Sequence, residues 1–392
     1  MSKIVFFCIP AHGHTNPTLG VVRELVNRGH EVWYYSYEQM RRKIEDTGAK
    51  FISCDDYDAE QKLTPADSAR IGSDLAFSTK VLVDTTLALD EMVCRDMLRL
   101  NPDCIVADSM AIWGKAAAMK LGIPFVSSTT TFAFNKHSSR GMKQGPKELM
   151  KMLFSMPKIN REMKRLRSRG YPVKSILDII ANDDSTHTIV YTSRKFQPCS
   201  ETFSDCYSFV GPSVRPAEEK VEKKREKLVY ISMGTVNNCM MDLYLGCVRV
   251  FSGLPYQVIL SVGDNVNIKA FGELPEQIAV YPRVDQIGVL QEADVFVSHC
   301  GMNSVSESLY FGVPLVLLPQ TSEQEAVASR TEELGAGCRP ENLTPEGIAE
   351  AARRVLEDPS FREKAGSIAA DFRACSGPKG AADKIEAMMT QQ

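Results

Sequence analysis

Residues 295–320 read VFVSHCGMNSVSESLYFGVPLVLLPQ, and this stretch decides the fold. The apolar, β-branched run Val295–Ser298 predicts a buried strand, and the pattern from Asn303 to Gly312 predicts a helix. A second apolar run, Leu315–Leu318, predicts the next strand. A strand, a helix and a strand joined by such short connections form a parallel βαβ unit, from which doubly wound sheets are built.

The same alternation extends from this stretch towards both ends of the chain. Short apolar runs between amphipathic stretches indicate α/β domains with helices on both faces of a parallel sheet. The runs are Ile4–Cys8, Val32–Tyr35, Cys104–Ala107, Phe125–Ser128 and Thr188–Tyr191 in the first half, and Leu228–Ser232 and Gln257–Ser261 in the second.

A strongly charged segment separates the two series of strands. Residues 211–227 read GPSVRPAEEKVEKKREK and offer no apolar face to bury, which predicts an interdomain linker. With 392 residues the chain exceeds what one hydrophobic core supports. We expect a first domain over 1–210, a second over 228–375, and a last helix, Lys379–Met389 within 376–392, that packs back on the first domain.

The composition excludes several classes of function. A formal net charge of -3 provides no field for nucleic acid or an anionic membrane. Eleven cysteines without a CxxC pair suit reduced thiols, and no stretch approaches the ~20 apolar residues of a membrane-spanning helix. The sequence therefore predicts a cytoplasmic protein that acts on small molecules, with no nucleic-acid partner and no membrane association; nothing in it bears on the oligomeric state.

The chain after the first strand carries two histidines, His12 and His14. Ligands of open α/β sheets bind at the carboxyl ends of strands, so both are candidate functional residues, with Pro17 expected in the first turn of the next helix. Asp108 ends another strand at the same edge. It is either a helix cap or the acid that orients the His14 imidazole, and the second role requires the two strands to be adjacent.

A candidate anion site follows the strand at Val295. The exposed amides at the start of the next helix, together with His299, Gly301, Asn303 and Ser304, suit a diphosphate. Glu307, one turn further along the helix, can accept hydrogen bonds from ribose hydroxyls.

Two weaker signals accompany this site. Gly234 and Thr235 end a strand and can bring a backbone amide and a hydroxyl to a phosphate, although such a pair is most often a tight turn. Glu323 and Gln324 begin a helix, where an acid also has the ordinary role of stabilising the helix N-terminus.

Taken in order, these motifs resemble the UDP-glycosyltransferase family, and specifically its bacterial macrolide-type branch. Residues 10–19, PAHGHTNPTL, are similar to the N-terminal motif of that family, and residues 298–307, SHCGMNSVSE, are similar to its donor signature. The resemblance covers nearly the whole chain. It implies the GT-B fold, an α/β architecture in which two Rossmann-like doubly wound domains face each other across a cleft.

The resemblance also implies a role for each matching residue. His14 would be the catalytic base and Asp108 its partner, while Glu323 and Gln324 would bind sugar hydroxyls. The full set of implied donor-binding residues is Gly234, Thr235, Arg283, Val284, Gln286, His299, Gly301, Asn303, Ser304, Glu307, Glu323 and Gln324.

The sequence departs from the family pattern at two places. The usual Trp-Val-Pro-Gln appears as Arg283-Val-Asp-Gln286, so the aromatic platform for the uracil is missing, although an Arg guanidinium can stack on a base. Glu323 stands where many relatives carry Asp, which leaves the favoured sugar open.

Metal and thiol chemistry are disfavoured. Asp56-Tyr-Asp58 matches the loose DxD pattern of metal-dependent sugar-nucleotide enzymes, but clustered acids after a short strand are typical of a solvated turn. Cys300 is better explained as a small, buried packing residue than as a nucleophile. We expect no metal site.

The expected activity is an inverting transfer of a sugar, with glucose as the expected sugar, from a UDP-sugar co-substrate and without a cofactor. The acceptor would be a hydroxyl of a small, mostly apolar molecule such as a macrolide, a flavonoid or another phenolic. Phe132 and Phe134 could line its pocket or belong to the core. The alternatives are a sugar-nucleotide epimerase of GT-B-like fold and a non-catalytic nucleotide-sugar-binding auxiliary protein.

Overall fold

Two parallel sheets organise the chain, one in each of the two units into which it divides. The structure is a computed structural model that describes residues 1–56, 70, 74–135, 137–138, 146–180, 182, 185–235 and 238–390. The first unit comprises Met1–Ser213 and Ser376–Gln392, and the second comprises Val214–Cys375. All eleven cysteines are free thiols. Within the described ranges, no helix combines the length and apolar character needed to cross a membrane.

The described strands of the first unit form a seven-stranded sheet of order β3-β2-β1-β4-β5-β6-β7. They are β1 Lys3–Phe7, β2 Glu31–Ser36, β3 Lys50–Ser53, β4 Cys104–Asp108, β5 Phe125–Thr129, β6 Thr188–Val190 and β7 Tyr207–Phe209. The strand order reverses between β1 and β4, which pair with Phe7 opposite Ala107. The sequence indicates β3 only as the short strand before the acids at 56–58, and the apolar pattern does not predict β7.

Helices follow the strands of the first sheet. They are α1 His12–Asn27, α2 Arg41–Glu45, α3 Leu75–Leu100, α4 Ile112–Leu121, α5 Pro146–Ser168 and α6 Leu177–Ile180. The side chains of β1 show that the sheet is covered on both faces. Ile4 and Phe6 belong to one buried cluster, and the alternate residues Val5 and Phe7 belong to another that includes Trp113. A strand buried on both faces explains why its sequence is a continuous apolar run.

The first helix begins earlier than its sequence predicts. Ala11 has extended backbone angles and α1 starts at His12, so Pro17 lies in the second turn and its predicted place in the first turn is wrong. A proline at that position removes only one helical hydrogen bond, which a sixteen-residue helix tolerates. As a result, both His12 and His14 lie in the first turn of α1, not in a loop.

The second unit contains a six-stranded sheet among its described residues, with the order β10-β9-β8-β11-β12-β13. Its strands are β8 Leu228–Ser232, β9 Gln257–Ser261, β10 Ile278–Tyr281, β11 Val295–Ser298, β12 Leu315–Leu317 and β13 Gly337–Cys338. Its helices are α7 Met241–Phe251, α8 Gln286–Glu292, α9 Met302–Tyr310, α10 Ser322–Glu333, α11 Pro345–Glu357 and α12 Pro359–Ala374. Here the order reverses between β8 and β11, where Ser232 lies opposite Ser298.

The last helix, α13 Gly377–Thr390, returns to the first unit. It packs against α1, and Ile385 is fully buried in the cluster that contains one face of β1. Arg28 Nη1 and His30 Nε2 each lie 2.7 Å from a carboxylate oxygen of Glu386. An apolar face and charged contacts therefore both attach the end of the chain to the first unit.

Most of the charged segment predicted as a linker over 211–227 is attached to the second unit. Asp285 Oδ2 accepts hydrogen bonds from the backbone amides of Glu218 at 2.6 Å and Glu219 at 2.9 Å, and Arg215 Nη2 lies 2.5 Å from its Oδ1. Further along, the backbone amide of Lys224 donates to Gln257 Oε1 at 2.6 Å. A segment without an apolar face is thus held by polar side chains, which hydropathy does not reveal.

We expect Asp285→Ala to lower the free energy of unfolding by about 1–3 kcal/mol near neutral pH, because it removes the acceptor of two backbone amides and one of the acceptors of the Arg215 guanidinium. Burial by itself would raise the pKa of the Asp285 carboxyl, but the Glu219 amide, Arg215 and the Glu218 amide together hold it below its ordinary value. The stabilisation is therefore present above the unfolded pKa of about 3.9 and is lost as the pH falls through the folded pKa.

Urea denaturation of wild type and variant at neutral and at acidic pH measures this difference. The matched control is Asp264→Ala, which removes an exposed carboxylate from an exposed ion pair with Arg283 and should change stability by less than about 1 kcal/mol. Equal effects of the two substitutions would show that Asp285 does not anchor the segment.

Candidate active site

The first candidate site lies where the order of the first sheet reverses. β1 and β4 are adjacent and parallel, so the first turn of α1 and the end of β4 meet at the carboxyl edge of the sheet. His14 Nδ1 lies 2.8 Å from Asp108 Oδ2. The adjacency that the pairing requires is present, and the structure brings together the two residues that the sequence suggested as a base and its partner.

Asp108 is held on both of its oxygens. Its side chain is 0% exposed, and Oδ1 accepts a hydrogen bond from the backbone amide of Met110 at 2.9 Å. The carboxylate therefore binds the chain that follows β4 as a cap would, and it contacts His14 at the same time. A buried carboxylate is stable only with such partners.

This contact determines which nitrogen of His14 is basic. A carboxylate can only accept, so Nδ1 carries the proton in the neutral ring and Nε2 is the nitrogen that can take one up. The His14 side chain is 25% exposed, whereas its partner is buried. A positioned, partly exposed imidazole backed by a carboxylate is the arrangement of a general base.

Sequence reasoning missed one neighbour of this pair, Thr130. Its Oγ1 lies 3.1 Å from His14 Nδ1. Thr130 immediately follows β5, the strand next to β4, so the signal was its position beyond a strand end at the same edge. The hydroxyl gives the Nδ1 side of the ring a second polar contact.

The other histidine of the motif has different surroundings. Lys43 Nζ lies 3.4 Å from His12 Nδ1 and 3.3 Å from Asn16 Oδ1. The structure therefore distinguishes His14, beside a buried carboxylate, from His12, beside a cation.

The second candidate site lies where the order of the second sheet reverses. β11 ends at Ser298, and α9 begins at Met302 with Gly301 in the N-cap position. No side chain caps this helix and its first turn contains no acidic residue. Asn303 and Ser304 lie in that first turn, so the amides and side chains needed for an anion occur together.

Two glycines enclose the His299 ring beside this helix start. A Cβ at Gly234 or at Gly301 would lie 2.6 Å from His299 Nε2, and Gly234 also has a φ of +79°. No larger residue fits at either position. Burial lowers the pKa of His299, with a backbone contact to Ser232 acting in the opposite direction, and its buried Nδ1 has no hydrogen-bond partner in the part of the chain that the structure describes. The lowered pKa leaves the imidazole neutral near pH 7, and a neutral imidazole can donate a hydrogen bond from one of its two nitrogens.

A glutamine links the residues expected at the nucleoside. Gln286 begins α8, and its Nε2 donates to Glu307 Oε2 at 2.5 Å and to Ser304 Oγ at 3.5 Å. The structure thus brings three of the predicted donor-binding residues into one hydrogen-bonded group.

The sequence at residues 283–286 departs from the family pattern, and the structure shows what two of the unusual residues contact. Asp285, which replaces the usual proline, anchors the charged segment that begins the second unit. Arg283 is 70% exposed and donates from Nε to Asp264 Oδ2 at 2.8 Å. Val284, between them, is half-buried.

The remaining predicted residues lie at the ends of other elements. Thr321 Oγ1 caps α10 by accepting from the Gln324 amide at 3.3 Å, and Gln324 Oε1 accepts from the backbone amide of Gln320 at 2.8 Å. The Gln324 side chain is thereby oriented with its amino group as the donor end. Glu323, in the same first turn, is exposed, and so is Thr235 beyond β8.

The acidic cluster at 56–58 and Cys300 were considered for metal and thiol chemistry. Asp56 lies in an exposed turn, and Tyr57 and Asp58 lie outside the described residues. Cys300 is fully buried, and burial raises the pKa of its thiol to about 12, so it is a packing residue. In the part of the chain that the structure describes, no three His, Cys, Asp or Glu side chains are grouped to hold a metal ion.

The two phenylalanines considered for the acceptor pocket differ. Phe132 is buried and packs against Phe196 with ring centroids 5.6 Å apart, which makes it a core residue. Phe134, two residues later, is exposed.

Comparison with known proteins agrees with this geometry. Residues 252–388 match the family described as erythromycin biosynthesis protein CIII-like, C-terminal domain. The chain is 32% identical over 400 residues to the NDP-glycosyltransferase YjiC of Bacillus licheniformis, with 98% of this chain and 97% of that protein covered. It is 31% identical over 405 residues to the demethyllactenocin mycarosyltransferase of Streptomyces fradiae, with 100% and 87% covered.

A solved structure supports the same assignment. The glycotransferase of kitacinnamycin matches with a TM-score of 0.87 at 27% identity, and 99% of each chain is covered. The GT-B fold implied by the sequence resemblance is confirmed. The chain belongs to the UDP-glycosyltransferase family, in its macrolide-type branch, and is a glycosyltransferase.

Proposed function

We propose that this enzyme transfers a sugar, with glucose as the expected sugar, from a UDP-sugar to a hydroxyl of a small, mostly apolar acceptor. The observation that carries the proposal is the 2.8 Å contact between His14 and the buried Asp108. Hydroxyl groups are weak nucleophiles unless a base removes their proton, and this pair is suited to that task. Relatives such as the demethyllactenocin mycarosyltransferase are named for natural-product acceptors, which supports an acceptor of that kind.

In the proposed reaction, His14 Nε2 takes the acceptor proton while the acceptor oxygen attacks the anomeric carbon. The bond between that carbon and the leaving diphosphate breaks in the same displacement, so the anomeric centre is inverted. Asp108 stabilises the imidazolium that forms, because a negative charge next to Nδ1 favours the protonated ring.

The leaving diphosphate would be bound by the start of α9. The helix amides, the Asn303 and Ser304 side chains and the neutral His299 supply hydrogen bonds where negative charge develops. This group of donors supports a reaction that needs neither a metal ion nor a cofactor. Glu307 would accept from the ribose, and Glu323 with Gln324 would bind hydroxyls of the sugar.

Two other functions would leave different products. An epimerase of related architecture would convert the donor without an acceptor, and an auxiliary binding protein would leave it unchanged. Incubation with UDP-glucose in the presence and absence of a phenolic acceptor distinguishes all three when both UDP release and the identity of the remaining nucleotide sugar are measured. Release that depends on the acceptor supports a transferase, and the histidine–carboxylate pair favours that outcome over a non-catalytic protein.

The roles of His14 and Asp108 predict two distinct losses of activity. His14→Ala should abolish transfer to aliphatic hydroxyls while UDP binding persists, because the anion site lies in the second unit. Asp108→Asn should lower kcat by a factor of about 10² or more, since it removes the charge that stabilises the imidazolium. Phenols and thiols ionise more easily and should lose less with either variant.

Initial rates with one aliphatic and one phenolic acceptor, together with UDP titration calorimetry, measure these effects. His12→Ala is the matched control from the same helical turn and should retain most activity. A His14→Ala enzyme that glycosylates an aliphatic alcohol at nearly the wild-type rate would rule out this base.

We expect chelation with EDTA to leave turnover largely intact, because helix amides and His299 stabilise the leaving group without a metal ion. Rates before and after chelation, and after re-addition of Mg²⁺ or Mn²⁺, are compared at one donor concentration. Activity that disappears with EDTA and returns with a metal would contradict the proposed mechanism.

Substitution of Glu323 and Gln324 should weaken the binding of the intact UDP-sugar more than the binding of UDP. Loss of one or two hydrogen bonds to the sugar should reduce UDP-sugar binding by about 1–3 kcal/mol while UDP binding changes little. Glu333→Ala, at the opposite end of α10, is the control and should affect neither ligand. Equal losses for UDP and UDP-sugar would mean that the pair does not contact the sugar.

A further inference from the structure

Tyr230 is a buried tyrosine at the centre of the second sheet. It lies in β8, is 1% exposed, and stacks on Phe296 of β11 with ring centroids 4.5 Å apart. Tyrosine is larger and more polar than the apolar residues that usually fill such a position, and its hydroxyl needs a partner once it is buried.

The Tyr230 hydroxyl has a partner that leads to the candidate donor site. It donates to Gln286 Oε1 at 3.2 Å, and Gln286 Nε2 in turn donates to Glu307 Oε2 at 2.5 Å. The three side chains form a directed chain of hydrogen bonds from the middle of the sheet to the carboxylate on α9.

The direction of this chain matters because the Gln286 amide has two different ends. With its carbonyl oxygen on the Tyr230 hydroxyl, its amino group faces Glu307 as a donor. If the amide were reversed, a carbonyl oxygen would face a carboxylate oxygen, and neither atom could donate. A hydroxyl that donates to Oε1 therefore stabilises the orientation in which Gln286 donates to Glu307.

The hydroxyl remains a donor at working pH. Burial raises the pKa of Tyr230, with side-chain hydrogen bonds from Ser232 and Ser261 acting in the opposite direction and the charge of Glu307 adding to the rise. The proton needed for donation to Gln286 is thus retained.

We propose that Tyr230 is a positioning residue that, through Gln286, fixes the Glu307 carboxylate and so sets the selectivity of the donor site for ribose over 2′-deoxyribose. The inference rests on the proposed ribose contact of Glu307. A carboxylate that is held through one oxygen presents its lone pairs in a defined direction. Two neighbouring ribose hydroxyls can then donate hydrogen bonds to it. A 2′-deoxyribose has one hydroxyl fewer, so the fixed carboxylate strengthens its binding less.

The test compares Tyr230→Phe with the wild-type protein by titration calorimetry, using UDP and 2′-deoxy-UDP. These ligands share the base and the diphosphate and differ only in the 2′-hydroxyl. We expect Tyr230→Phe to weaken UDP binding by about 5- to 10-fold and 2′-deoxy-UDP binding by less than about 2-fold, the range for one lost hydrogen bond. The phenylalanine keeps the ring that stacks on Phe296.

Tyr244→Phe is the matched control. Tyr244 is also fully buried in the second unit, but among the described residues its hydroxyl has no hydrogen-bond partner, so this substitution should leave the UDP to 2′-deoxy-UDP ratio unchanged. Thermal unfolding of both variants shows whether the fold is retained. A merely structural effect of Tyr230→Phe would weaken both ligands equally, and that result would overturn the proposal.

Glu307→Gln separates failure of this inference from failure of the proposed ribose contact. If Glu307→Gln removes the preference for UDP and Tyr230→Phe does not, the positioning role is wrong and the ribose contact stands. If the wild type shows no preference, or Glu307→Gln retains it, the ribose contact and the inference are both wrong. In turnover, Tyr230→Phe should raise KM for the UDP-sugar with kcat within about 2-fold of wild type, since the acceptor base is untouched.

Discussion

The reversal of strand order within each parallel sheet is the constraint on which both sites depend. In the first unit, later strands are added on both sides of the β1–β4 pair, and in the second unit they are added on both sides of the β8–β11 pair. At such a point the connections that follow the two central strands leave on opposite sides, which opens a crevice at the carboxyl edge. The His14–Asp108 pair lies at one reversal, and the loops that enclose His299 lie at the other. One topological rule thus places the proposed base in one unit and the candidate anion site in the other.

The sequence predicted some of the elements and residues around these reversals and missed others. The difference depends on whether a feature is visible in the local pattern or arises from distant neighbours. The runs that became β8, β9 and β11 had the predicted bounds because strands buried on both faces are continuously apolar. The start of α1 was misplaced because the prediction relied on the preference of proline for the first turn, whereas Pro17 lies in the second turn and removes one helical hydrogen bond there. Thr130 and Tyr230 could not be assigned, since their roles depend on neighbours that are distant in sequence.

Buried polar groups explain why single residues outside the recognised motifs matter. Asp108 and Asp285 are both carboxylates shielded from solvent, and each is stabilised by backbone amides as well as by a cationic or imidazole side chain. The first of these uses its second oxygen to orient a histidine, whereas the second uses its oxygens to attach a charged segment. The same physical requirement, that a buried charge be fully paired, supports chemistry in one unit and architecture in the other.

The connection between β11 and α9 shows how tightly the anion site is built. The chain must turn within three residues, and Cys300 adopts a left-handed φ of +66°, which is unfavourable for a residue with a Cβ by about 1 kcal/mol. Ser298 binds both the backbone and the side chain of Cys300. Its Oγ accepts from the Cys300 amide at 3.1 Å, and its carbonyl accepts from Sγ at 3.3 Å. A glycine would adopt the same φ without strain but would lose the buried sulfur contact. The strained residue therefore also makes a contact that fixes the loop. A fixed loop keeps His299 between Gly234 and Gly301, the position from which we propose that it binds the leaving diphosphate.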